Sequence, residues 1–351
     1  MIFSGSRDYA RVGTDSCRIL AGAGRCIKGR AKIVREDLQF NIAGGLGFEL
    51  PQMARVRQLF EHHGVDDVAK AVTDELARPE IMAKVKPGAK IAVGVGSRGV
   101  ANIDVAVRAL IGSLKAQGAD PFVFPAMGSH AGGTADAQAA LLAGYGVTES
   151  AVGAPVRATM DTILVTELDD GTAIHMDRFA HEADGVVLIN RVKPHTSFRG
   201  PVESGVIKMM IIGMGKINGA TAIHGGHPME NFGEVLPRAA GALMEHIPFL
   251  FGVGMVEDAH DDTAIVEAMP AETLFAREPV LQSRAKELMA RIYIDDIDVL
   301  VIDEIGKEIS GAGCDPNVTG HRNSPGFELP RVKKMVILDV TDATKGNATG
   351  I

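Results

Sequence analysis

The sequence predicts an α/β fold made of two α/β domains with mainly parallel sheets and an active site in the cleft between them. Three observations carry this. Apolar runs of strand length alternate with stretches of helical period, the pattern of a doubly wound parallel sheet. Glycine-rich turns stand where strands pass into helices. Residues 271–292 are helical in character and separate a long first α/β region from a second one.

In chain order, residues 1–50 form an irregular extension with clustered Gly and Arg and no clear period. Residues 51–270 form the first domain. AKIAVGVG (89–96) reads as a buried strand, and Ile103, Val107, Leu110, Ile111 and Leu114 then recur at helical spacing until Gly118 ends the helix. PFVFP (121–125) is a second strand and TADAQAALLAGYG (134–146) a second helix. TILVTELDDGTAIHM (162–176) reads as a hairpin turning at Asp-Asp-Gly, and GVVLIN (185–190) as another strand. Residues 271–292 are a helical linker. DIDVLVIDEIG (296–306) and RVKKMVILDV (331–340) are strands of the second domain, 293–351, which stops soon after its last strand and reads as small or truncated.

Composition narrows the function. Hydrophobic residues make up 46% of the 351 and charged residues 23%, a globular balance. A net charge of −8 argues against nucleic-acid or anionic-membrane surfaces, so an anionic ligand needs a local positive pocket. With no Trp and three Tyr, stacking on bases is disfavoured. Cys17, Cys26 and Cys314 form no CxxC pair, which suits a reducing cytoplasm rather than a disulfide framework or thiolate zinc site. The apolar runs near 206–215 and 247–256 are too short to span a bilayer.

GVGSRG (94–99) follows a strand and precedes a helix, as a dinucleotide fingerprint does. The acidic residue that holds the ribose is missing from the end of the next strand, since Asp120 lies before it. The milder reading is a turn that offers Ser97 and Arg98 to a phosphate at a helix N-terminus.

Three of the 11 histidines stand where chemistry is expected. His130, in MGSHAGG, and His195, after GVVLINRVKP, each follow a strand, and in a parallel sheet such positions share one edge. Two imidazoles facing one pocket can act as general acid and general base. His224 lies 224 − 208 = 16 residues after Lys208, with His227 as its weaker alternate. Lys193, Lys208 and Lys216 surround the apolar run VIKMMIIGMG. A lysine there is either snorkelling or held in a site where desolvation makes its amine reactive. Ser204-Gly205 just ahead of Lys208 permits close approach by a ligand.

Taken together, His195, Ser204-Gly205-x-x-Lys208-x-x-x-x-Gly213 and His224, with GSHAGG around His130 and Ser97-Arg98 at the first strand–helix turn, resemble the nickel-dependent lactate racemase family over residues 50–345. The resemblance implies a nickel pincer nucleotide, the nickel complex of pyridinium-3,5-bisthiocarboxylic acid mononucleotide, joined covalently to Lys208. It implies His224 as the nickel ligand, Ser97 and Arg98 on the nucleotide phosphate, and Ser204 and Gly205 beside the cofactor. His130 and His195 become the acid–base pair, and Lys307 the partner of the substrate carboxylate. The implied reaction is inversion at C2 of a small 2-hydroxy acid, in the cytoplasm, with the cofactor supplied by its biosynthetic proteins. The sequence departs from the family in three ways. Val95-Gly96-Ser97-Arg98 stands where those enzymes have Asp-x-Thr-Arg, the loop from His195 to Lys208 is longer, and no Trp is present. Two other readings remain open: an NAD-dependent oxidoreductase resting on GVGSRG, and a nucleotide- or nickel-binding protein without turnover.

Overall fold

Apolar runs with no polar face need cover on both sides, and here they make a central sheet with helices packed on each face. The computed structural model describes residues 2–3, 52–96, 99–320 and 326–347. Ser97, Arg98, Cys17, Cys26, His321 and almost all of the extension expected at 1–50 lie outside the described residues. The chain divides into a unit of Met1–Phe3 with Leu59–Ile351 and a unit of Ser4–Gln58, of which residues 52–58 are described and carry no regular element.

The strands are β1 (Ile2–Phe3), β2 (Lys90–Val95), β3 (Asp120–Pro125), β4 (Thr162–Glu167), β5 (Ala173–Asp177), β6 (Gly185–Arg191), β7 (Phe249–Glu257), β8 (Thr263–Pro270), β9 (Asp296–Ile305) and β10 (Arg331–Val340). The central sheet has the order β3-β2-β6-β7-β8. Its first four strands are parallel and β8 is antiparallel to β7. The fold is therefore α/β with a mainly parallel sheet, as the alternation of periods requires. β8 closes one side by a short return from β7, a connection available only to antiparallel neighbours.

Alternate residues of the strands serve opposite faces. Ile91, Val93, Val95, Val187 and Ile189 pack on one side with the Ile103–Ala116 helix, whose Ile103, Val107, Leu110, Ile111 and Leu114 are buried as their spacing predicts. Ala92, Val186 and Leu188 pack on the other with Val206, Ile207, Met210 and the Phe232–Met244 helix. The first two glycines of GVGSRG have packing causes. A Cβ at Gly94 would stand 2.4 Å from Leu188, and one at Gly96 would stand 2.3 Å from both Asn190 and Met209.

β4 and β5 form the expected antiparallel hairpin, turning at Asp169-Asp170-Gly171 with Gly171 at φ +82. β9 and β10 pair in parallel, with β1 on the far side of β9. The helical segment forms the helix Leu274–Leu288, which buries Leu274, Glu278, Leu281, Gln282, Ala285 and Leu288. Among the described residues no single helix is long and apolar enough to cross a membrane. Val206–Gly213 and Lys216–Gly226 are bent from one another by 103°; the first is largely buried, and the second buries Lys216, Gly219, Ala220 and Ile223.

Candidate functional site

In a parallel sheet the loops leaving the strands collect at one edge. β2, β3 and β6 run parallel, so the segments after Pro125 and Arg191 emerge side by side. Between them lies a cavity of about 410 Å³, within the size range of small-molecule sites. His130, Lys193, His195, Ser204, Lys208 and His224 line it, together with Gly311, Ala312, Cys314 and Pro316 from the segment after β9.

Lys208 owes its position to helical spacing. Residues 205–211 are buried except for Lys208, and Lys208 and Ile212, four apart, both line the cavity. The Lys208 Nζ lies 6.0 Å from the centre of the Phe198 ring. That ring lies 4.3 Å from the His195 ring at a tilt of 30° and meets Phe232 edge-on at 5.6 Å, while Phe232 lies 4.9 Å from His224. Two buried phenylalanines thus form the floor on which both histidines and the lysine rest.

The loop from His195 to Glu203 is organised from within. Lys193 and Ser204 exchange backbone hydrogen bonds at 2.9 and 3.2 Å, which closes its neck. Inside, the fully buried Glu203 carboxylate accepts from the His195 N–H at 2.7 Å and pairs with Lys286 at 2.6 Å and Arg199 at 3.3 Å. The Ser197 N–H donates to His195 Nδ1 at 3.0 Å, which leaves the proton of a neutral His195 ring on Nε2. The Asn317 side chain donates to the His195 carbonyl at 3.1 Å.

His224 is exposed at the cavity, and its pKa is lowered, first by desolvation of part of the ring and then by the Lys208 charge, which favours the neutral form. A neutral imidazole is the metal-binding form. His227, the weaker alternate, contacts Thr172 Oγ1 at 2.9 Å and does not line the cavity. Gly205 lies beneath the wall rather than in it, where a Cβ would stand 2.4 Å from the Glu278 carboxylate.

Glu278 went unrecognised in the sequence, where it looks like one more charge in a polar helix. It is fully buried, accepts from the Ile207 N–H at 3.0 Å, and is pushed up to about 7 by burial against the opposing pull of the Ile207 and Val206 N–H groups. Lys307 is not brought into the site. Its loop closes on itself, with Ser310 N–H donating to Gly306 O at 2.9 Å, and leaves Lys307 exposed while Gly311, Ala312, Cys314 and Pro316 line the cavity. Lys193 is the lysine that the structure puts there besides Lys208. Arg191 also lines the cavity, paired with Glu257. Among the described lining residues there is no carboxylate, in a chain with 44 acidic residues. The described lining thus carries Lys193 and Lys208 against a net charge of −8 for the whole chain.

The group implied by the resemblance can be tested against these residues. An amine on a buried wall, an imidazole whose pKa that amine lowers, and a lining with no acid among its described residues suit a tethered anionic nucleotide with a borderline-soft metal. The residues fit.

Fold and site together define an α/β protein with a pocket lined by lysines and histidines at the carboxyl edge of a parallel sheet. No protein-family model and no curated protein sequence matches the chain. Among solved structures it is similar to the lactate racemase apoprotein from Thermoanaerobacterium thermosaccharolyticum, with a TM-score of 0.51 and 14% identity over 69% of this chain. The match spans 60% of that protein's length, and the likeness is one of fold.

Proposed function

We propose that the chain is an enzyme of the 2-hydroxy acid racemase or epimerase class, a divergent relative of the nickel-dependent lactate racemases. The observation that supports this best is convergence. Lys208, His224, His130 and His195, singled out by their order in the sequence, line one cavity of a fold similar to lactate racemase.

Lys208 is the tether for the nickel pincer nucleotide and His224 its protein ligand to nickel. When bound, the nucleotide supplies a hydride acceptor and donor for C2 of the substrate. The chain supplies the rest. Lys193, two residues before His195 on the same wall, holds the substrate carboxylate in place of Lys307. His130 and His195 come from loops after different strands, and inversion at one carbon needs proton-handling groups on two sides. With Nδ1 accepting from the Ser197 N–H, His195 presents Nε2–H as a hydrogen-bond donor to a substrate oxygen. Phe232 lines the cavity, with Phe198 packed against it, and this apolar surface keeps water from that side.

The test is peptide mass spectrometry with nickel analysis on protein purified from its native source, followed by racemisation assays on a 2-hydroxy acid panel. A nucleotide adduct on Lys208 with nickel near one per chain is the expected result. An unmodified Lys208 without nickel, from cells that make the cofactor, refutes the reading. Oxidation of a 2-hydroxy acid by NAD with no nickel present would favour a nicotinamide enzyme instead.

A further inference from the structure

Lys216 is the one fully buried lysine among the described residues, and it stands outside the cavity lining. It lies at φ +54, a left-handed conformation that a residue with a Cβ adopts only when its surroundings compel it. What compels it is visible. Its Nζ forms an ion pair at 3.1 Å with Asp177, which is also fully buried. It donates to Pro125 O, the last carbonyl of β3, and to Gln138 Oε1 at 3.4 Å. The amine thus faces a carboxylate and two neutral acceptors, while burial lowers its pKa and raises that of Asp177. Gln138, itself fully buried, passes the connection on. Its Nε2 donates to Gly128 O at 2.8 Å and to His130 O at 3.2 Å.

These contacts join two parts of the site. Lys216 begins the Lys216–Gly226 helix that carries His224, and Gly128 to His130 is the loop that carries His130. That loop has little regular structure of its own, with Gly128, Ala131, Gly132 and Gly133 all at positive φ. We infer that Lys216 and Gln138 are positioning residues: a buried Asp177–Lys216–Gln138 relay that locks the His130 loop to the His224 helix, so that the two histidines keep one fixed separation. Its kinetic consequence rests on the racemase reading, while its structural consequence does not.

Lys216→Met leaves Asp177 buried without its cation and is expected to fold poorly, so the decisive variant is Gln138→Met. This side chain has similar volume, spares the ion pair and removes both donors to the loop. Hydrogen exchange and imidazole NMR on the chain without cofactor read the lock directly. The expected result is a loss of protection at the amides of 128–133 of about 10-fold or more, with a displaced or broadened His130 signal and an unmoved His224 signal. In the loaded enzyme, kcat falls about 10-fold or more while KM stays within about twofold, because geometry rather than affinity is lost. Unchanged exchange and an unchanged His130 signal in a folded Gln138→Met protein overturn the lock. A loosened loop with unchanged kcat overturns its positioning role. If the chain racemises nothing, the exchange and NMR results still decide the lock, so failure of the activity reading is distinguishable from failure of this one.

Discussion

Replacing Glu278 by Gln isolates one electrostatic cost. The carboxyl is fully buried and its pKa is pushed from an ordinary 4.5 up to about 7. A group that holds its proton more tightly when folded adds stability below its unfolded pKa and loses it as pH rises through the folded value. The rise from 4.5 to about 7 corresponds to roughly 3 kcal/mol, present at pH 4.5 and gone above about pH 7. In Glu278→Gln the amide keeps an oxygen to accept the Ile207 N–H and does not ionise. Urea unfolding of both proteins from about pH 5 to pH 8 measures this. The wild-type curve should fall by roughly 2–3 kcal/mol more than that of Glu278→Gln across the window, since every other titrating group is common to both. Parallel curves, within about 1 kcal/mol, would refute the claim that Glu278 is a desolvated carboxyl beneath the Lys208 segment.

Other expectations follow from the same geometry. Lys208→Arg keeps the positive charge and should shift stability by less than about 0.5 kcal/mol, yet should carry no nucleotide adduct and lack racemase activity; mass spectrometry and polarimetry check both. Lys208→Met should raise the His224 pKa toward its ordinary value in an NMR titration of the cofactor-free chain, because it removes the second cause of the depression and leaves burial. Gly205→Ala places a Cβ 2.4 Å from the Glu278 carboxylate and should cost about 1–3 kcal/mol in chemical denaturation. Lys193→Glu puts a carboxylate into a pocket that has none among its described lining residues, and should raise KM for a 2-hydroxy acid by about 10-fold or more at low salt.

The amino-acid sequence alone determined what short-range physics encodes. Unbroken apolar runs marked β2, β3 and β6, and a helical period marked the buried face of the Ile103–Ala116 helix. Because loops after parallel strands share an edge, His130 and His195 could be assigned to one site from their order in the chain. Only the tertiary structure decided which charges are buried and against what. Glu278 stands 71 positions from Ile207, and Lys216 stands 78 from Gln138 and 91 from Pro125. No local period records such pairings, since the cost of burying a charge depends on partners brought in from distant segments. The same reason separates Lys193 from Lys307. Both are lysines in loops after strands, and only the closure of the Gly306–Gly313 turn leaves one exposed while the other lines the cavity.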